Sequence, residues 1–163
     1  MQIEFSEKLK LSVSKELLNM FYSREQSSGE VEVGGILLGK YDIQSHTYHI
    51  SEITMPSKKD SAGFSFFVRS KKSAQKVINK AWKKSKGIVN YLGEWHTHCC
   101  RHPTPSFTDL RFIKQLVEDN VSLYDHFFMI IVGQNKNLCI IACKSNNAKE
   151  IIQVSINYEE ELK

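Results

Sequence analysis

The chain has 163 residues, of which 41% are hydrophobic and 25% charged, with a formal net charge of +4. That length suffices for a single domain over residues 1–163, whose buried core needs no disulfide or structural metal in order to fold. No apolar run reaches membrane-spanning length, Glu4 and Glu7 break up what would be a signal-peptide core, and the four cysteines form neither a CxxC pair nor a disulfide framework, so a cytoplasmic protein with no membrane partner is expected.

Val13, Leu17, Met20 and Phe21 recur at helical spacing, which predicts a helix over residues 13–21 with Ser12 or Ser14 as its cap. Ser27, Ser28 and Gly29 end it. Residues 31–39, VEVGGILLG, read as a strand in which Gly34 and Gly35 permit a bulge or a close backbone approach. A turn in YDIQSH and a strand over Thr47 to Ile53 follow. The polar loop PSKKDSAG then leads to a short aromatic strand, FSFFV, whose Phe64, Phe66 and Phe67 suit either a core or a substrate groove.

From Ser70 the period becomes helical, with Ala74, Val77, Ile78, Ala81 and Trp82 as the buried stripe and Gly87 as the stop. Seven lysines between residues 71 and 86 load this helix with charge. They read as a solvated face opposite the apolar stripe, and nucleic acid is not an expected partner of the whole chain. Residues 88–97, IVNYLGEWHT, form the next strand. A helix starts at Ser106, with Leu110, Ile113, Leu116 and Val117 buried. Two apolar strands over 126–132 and 138–143 flank a polar turn at Asn135 to Asn137, and IIQVSI is the last strand before a charged, frayed tail. The alternation argues an α/β (α+β) fold, one sheet with helices packed on it.

The stretch EWHTHCCRHPTPSFTD carries the chemistry. His96 and His98 lie one residue apart on an extended segment, so their imidazoles share a face, while Trp95 turns to the other face to pack. Asp109 follows at a helix start, completing three donors of the kind a hydrolytic zinc ion uses with an open fourth position. Ser106-x-x-Asp109 is also a capping-box spacing, and a cap that fixes the helix terminus presents the carboxylate as well. A hydrolase needs in addition a carboxylate that is not a ligand, to take a proton from water. Two glutamates compete on the residues alone: Glu94, which shares the histidine face, and Glu32, beside the Gly34-Gly35 pair. Position favours Glu94.

The order Glu32 in EVGGILLG, then His96-x-His98-x7-Ser106-x-x-Asp109, resembles the JAB/MPN metalloprotease family with its JAMM motif, and the likeness covers almost the whole chain. The resemblance implies one curved mixed sheet with flanking helices and a cytidine-deaminase-like layering. It implies one Zn2+ per chain held by His96, His98 and Asp109, with Glu32 as general acid/base and Ser106 stabilising the oxyanion. Glu94 then has no catalytic role.

The phrases YLGEWHTH and FSFFVRS look most like the compact prokaryotic branch, some members of which occur in anti-phage operons beside a nucleotidyltransferase. The function so implied is an isopeptidase acting on a protein conjugated through its C-terminus, a ubiquitin-like protein or a nucleotidyltransferase. The alternatives are a processing protease for a sulfur-carrier or ubiquitin-like protein, and a non-catalytic scaffold. One departure stands out: Cys99-Cys100 occupies the place where relatives usually have proline, and although thiolates bind zinc, side chains next to a strand histidine point away or sideways, so neither is expected to be a ligand. His102 reads as a loop residue.

Overall fold

The computed structural model describes residues 1–119, 124–144 and 150–157. The chain opens with a hairpin, β1 (Gln2–Ser6) and β2 (Leu9–Ser12), then α1 (Lys15–Tyr22), β3 (Gly34–Asp42) and β4 (Thr47–Ile53). A second hairpin, β5 (Ser61–Gly63) and β6 (Phe66–Val68), precedes α2 (Lys71–Lys84), β7 (Asn90–Thr97) and α3 (Phe107–Asp119). The strands β8 (His126–Val132), β9 (Leu138–Lys144) and β10 (Ile151–Ile156) complete the described elements. Among the described residues eight strands form one mixed sheet in the order β1-β2-β4-β3-β7-β8-β9-β10, while β5 and β6 pair with each other as a separate two-stranded sheet. The sheet is parallel between β2 and β4 and between β7 and β8 and antiparallel elsewhere. It curls until β1 comes against β10.

The two faces of this sheet bury separate cores. One face gathers Leu11, Leu37, Tyr48, Leu92, Trp95 and Phe128 around Leu17 and Phe21 of α1. The other gathers Ile36, Leu38, Met129, Ile131 and Ile141 under Ala74 and Ala81 of α2 and Ile113, Leu116 and Val117 of α3. Burial on both sides is why β8 and β9 read as unbroken apolar runs rather than as alternations.

Several boundaries differ from the sequence reading. The hairpin β1–β2 was not anticipated, although Ile3 and Phe5 against Leu9 and Leu11 alternate with period two. Val13 belongs to that hairpin and not to the helix, because its N–H still bonds the Met1 carbonyl at 2.9 Å. Ser14 is the cap of α1, accepting from the Leu17 N–H. Residues 31–33 lie before the strand, and Tyr41 and Asp42, read as turn, continue β3. Part of the polar loop, Ser61 to Gly63, pairs with the aromatic segment as β5.

Trp82 is 48% exposed, not core. The buried stripe of α2 is centred on Ala74 and Ala81, and a residue one position after Ala81 is rotated about 100° away from it. The helix stops in a Schellman arrangement: Gly87 N–H to the Trp82 carbonyl at 2.8 Å and Lys86 N–H to the Lys83 carbonyl at 3.2 Å. The polar turn is as expected, with Asn135 and Lys136 both at positive φ, as a type I′ hairpin requires. The charged tail beyond residue 157 lies outside the described residues.

Within β7 one extra residue shifts the register, since Leu37 pairs with Gly93 but Leu38 with Tyr91. This bulge needs glycine. Gly93 has φ of 137°, and a Cβ there would lie 1.8 Å from the Phe128 carbonyl oxygen. The extra residue puts Tyr91, Glu94 and His96 on the α2/α3 side while Leu92 and Trp95 point to the α1 side.

Candidate active site

The histidines reach the site because β7 ends there. Thr97 N–H bonds the Val33 carbonyl at 2.9 Å, the Val33 N–H returns to Thr97 Oγ1 at 3.0 Å, and His98 N–H bonds the Val132 carbonyl of β8 at 2.9 Å. His96 and His98 are thereby held on a backbone fixed from both sides. Asp109 stands in the first turn of α3, in a complete capping box. Its N–H donates to Ser106 Oγ at 3.2 Å, while the Ser106 N–H and hydroxyl both donate to Asp109 Oδ2 at 2.7 Å.

Three donors converge. His96 Nε2 lies 3.2 Å from His98 Nε2 and 3.3 Å from Asp109 Oδ1, and His98 Nε2 lies 3.4 Å from Asp109 Oδ2. The group could hold a metal ion. Tetrahedral zinc with bonds of roughly 2.0–2.1 Å spaces its ligands by about 3.4 Å, and two imidazoles and a carboxylate gathered this closely are donors of the kind that ion takes. The Thr104 backbone lies near enough to His98 to favour its protonated ring. Cys99 and Cys100 stand outside this group among the described residues, although both line the adjoining cavity. Cys99 Sγ accepts from Gln134 Nε2 at 3.7 Å.

Burial opposes ionisation of Asp109, but hydrogen bonds from His96 and His98 outweigh it and hold the carboxyl far below the ordinary range. Burial likewise opposes protonation of His98, and the neighbouring Asp109 and Glu32 nonetheless raise its pKa. Both shifts describe donors arranged for positive charge.

Glu32 comes to the same place from outside the sheet. Its Oε1 lies 3.9 Å from His98 Nε2, and its side chain is 8% exposed. Burial raises its pKa against the pull of both histidines. The segment carrying it is tied by its own N–H to the Gly63 carbonyl of the β5–β6 hairpin at 2.8 Å. The buried Gln26 bridges nearby, donating to the Glu30 carbonyl at 2.7 Å and accepting from Thr97 Oγ1 at 3.3 Å. Gly34 shows the close approach expected of it: a Cβ would lie 2.7 Å from the Phe67 ring and 2.4 Å from the Trp95 carbonyl.

Glu94 shares the face of His96 but is engaged otherwise. It forms a short ion pair with Arg69 Nε and accepts the Tyr91 hydroxyl at 2.9 Å, while Arg69 Nη2 reaches the Tyr91 Oη at 3.4 Å. Burial pushes the Glu94 carboxyl up against the pull of Arg69. Arg69 directly follows β6, so this cluster anchors the aromatic hairpin to β7 two residues from His96. The sequence reading missed Arg69, Tyr91, Gln26 and Thr97. Only the register shift at Gly93 puts Tyr91 beside Glu94, and no spacing rule announces it. Removing the guanidinium by Arg69→Met leaves a buried carboxylate without its cation, and is expected to cost about 3 kcal/mol in urea unfolding, with Arg69→Met/Glu94→Met costing clearly less. A double variant that costs as much as the single one would show that the orphaned carboxylate is not the source of the loss.

A cavity of about 470 Å³ opens over these groups. Glu32, His96, His98, Ser106 and Asp109 line one end, and Phe64, Phe66, Phe67 and Phe112 line its apolar walls. The three phenylalanines of the hairpin segment thus line this cavity and belong to neither buried core. His102 is exposed in its loop and does not line the cavity.

The chain belongs to the family of prokaryotic homologs of the JAB domain, whose profile matches residues 14–148. Three relatives are named CD-NTase/cGAS isopeptidase. The one from Enterobacter hormaechei subsp. hoffmannii is 30% identical over 74% of this chain and 66% of its own length. The one from Pseudomonas aeruginosa is 34% identical over 61% and 62%, and the one from Escherichia coli 30% identical over 85% and 85%. The match thus spans just under two thirds of the first two relatives. A solution structure of a Desulfitobacterium hafniense protein shares the fold, with a TM-score of 0.52 at 14% identity over 88% of this chain and 89% of that one. Among the described residues no helix is long and apolar enough to cross a membrane.

Proposed function

We propose that this chain is a zinc-dependent isopeptidase that hydrolyses the amide joining the C-terminus of a conjugated protein to a lysine. The conjugated protein is taken to be a nucleotidyltransferase of the kind named in the relatives. The observation that carries the reading is the convergence of a fourth, non-liganding carboxylate, Glu32, 3.9 Å from His98 on a three-donor group that faces an open cavity.

His96, His98 and Asp109 would hold the ion. What zinc supplies when bound is Lewis-acid polarisation of the scissile carbonyl and acidification of the attacking water to a pKa of about 7. Glu32 removes the proton from that water as oxygen adds to the carbonyl carbon. It then delivers the proton to the lysine nitrogen as the C–N bond breaks, leaving a free carboxylate and a free amine. Ser106 turns its hydroxyl from Asp109 Oδ2 toward the oxyanion. The buried Arg69–Glu94–Tyr91 cluster keeps the cavity wall in place and takes no part in proton transfer.

The test combines elemental analysis with intact-mass measurement on a nucleotidyltransferase linked through its C-terminus to a lysine. The expected result is about one zinc per chain and release of both partners with unmodified termini. A zinc-loaded protein that leaves the conjugate intact would refute the reading.

A further inference from the structure

The helix α2 carries a charge distribution that the catalytic reading does not use. Residues 61–93 contain Arg69 and seven lysines but no aspartate or glutamate, a formal +8 that leaves −4 for the rest of a chain whose total is +4. Lys71, Lys72, Lys76, Lys80, Lys83, Lys84 and Lys86 are all exposed. None of them forms an ion pair with a described residue. Lys72 and Lys76, Lys76 and Lys80, and Lys80 and Lys84 repel one another at helical i,i+4 spacing, which works against the helix. A face whose only task is to be wet mixes both signs.

Two further features give the ridge a direction. Lys71, at its start, lines the site cavity. Eleven residues bring an α-helix round almost to the same face, so Trp82 lies in line with Lys71 about 17 Å further on, and Lys83 in line with Lys72. Trp82 is 48% exposed and Ile88, just past the helix, 59% exposed. A cationic stripe thus runs from the mouth of the cavity to an exposed tryptophan, a charged track that can steer an oppositely charged partner beside a residue type enriched at binding hot spots.

We propose that α2 is a docking ridge for an acidic surface of the conjugated protein, which lies along Lys72, Lys76, Lys80 and Lys83 and covers Trp82 while its C-terminus enters the cavity. The assignment of that surface to the substrate rests on the isopeptidase reading. Because the ridge begins at the cavity, the protein whose terminus occupies the cavity is the partner in reach. Charge complementarity requires it to be acidic there.

Trp82 supplies a probe independent of catalysis, since the other tryptophan, Trp95, is fully buried. A ten-residue glutamate peptide is titrated against the full chain while fluorescence is followed, alongside a DNA duplex of the same formal charge. The expected result is a Trp82 signal that saturates with the peptide, weakens about 10-fold between about 50 and about 300 mM salt, and disappears in Lys76→Glu/Lys80→Glu/Lys83→Glu. The same triple variant keeps zinc content and melting temperature and raises KM for the protein conjugate about 10-fold with kcat unchanged. A conjugate KM unmoved by the triple variant overturns the proposal. So does DNA binding that is tighter than peptide binding and lost in the variant, which assigns the ridge to nucleic acid. Peptide binding that persists in a wild-type chain unable to cleave any conjugate overturns the catalytic reading and leaves the acidic-surface ridge standing.

Discussion

Glu32→Gln is expected to keep its zinc and its fold while cleavage of the conjugate falls by about 10²–10⁴-fold, the range a positioned general base contributes. The substitution keeps side-chain shape and removes only the ability to hold a proton. Glu32 touches the donor group at 3.9 Å and does not belong to it, so metal content has no reason to change. Its backbone tie to Gly63 is made by the main chain and survives the change. The measurement is kcat at saturating conjugate, with zinc determined on the same sample. Undiminished turnover would remove Glu32 as the base and return Glu94 to contention, despite that residue's ion pair with Arg69.

His96→Ala is expected to lose both metal and activity. Three protein donors are the usual number for a catalytic zinc site, and with one gone His98 and Asp109 remain as a two-point attachment. Loss of Lewis-acid stabilisation worth several kcal/mol lowers cleavage by more than about 10³-fold. The fold itself should persist, because two cores on opposite faces of the sheet are built without the site residues. Dialysed protein analysed for zinc and by circular dichroism separates these outcomes. Zinc retained at full stoichiometry by a folded variant would mean that other donors, Cys99 or Cys100 foremost, hold the ion.

Much of this site was legible from spacing, for identifiable reasons. The His-x-His pair lies on an extended segment, where period two fixes the side, and the Ser106-to-Asp109 interval is short enough for capping chemistry to dictate its geometry. Both are local relations. Glu32 was not: nothing in the local pattern around VEVGG distinguishes it from Glu94, and only family resemblance chose between them. The structure separates the two glutamates by their partners. Glu94 does face the histidines, but long-range pairing with Arg69, 25 residues earlier, engages it. Trp82 failed for a related reason, since an apolar residue at the margin of a helical stripe counts toward the pattern without lying over the sheet. The hairpin β1–β2 alternates visibly at Ile3, Phe5, Leu9 and Leu11, but each strand is too short for its period to stand out from a polar stretch.

The bulge at Gly93 has a consequence for how this fold tolerates change. Above it β7 pairs antiparallel with β3 alone; from Gly93 onward it also runs parallel to β8, starting opposite Phe128. One residue without a side chain therefore acts as a pivot between two differently spaced ladders, and fixes the rotational phase of everything that follows. Deleting Leu92 would remove the bulge and leave Tyr91 and Gly93 as consecutive partners of Leu38 and Leu37, so Tyr91, His96 and His98 would keep their aim while the α1 core lost the Leu92 side chain. Any side chain at position 93 would instead collide with the Phe128 backbone of β8. Tolerance at the centre of this sheet is thus asymmetric: length can vary upstream of the pivot, whereas volume cannot be added at it.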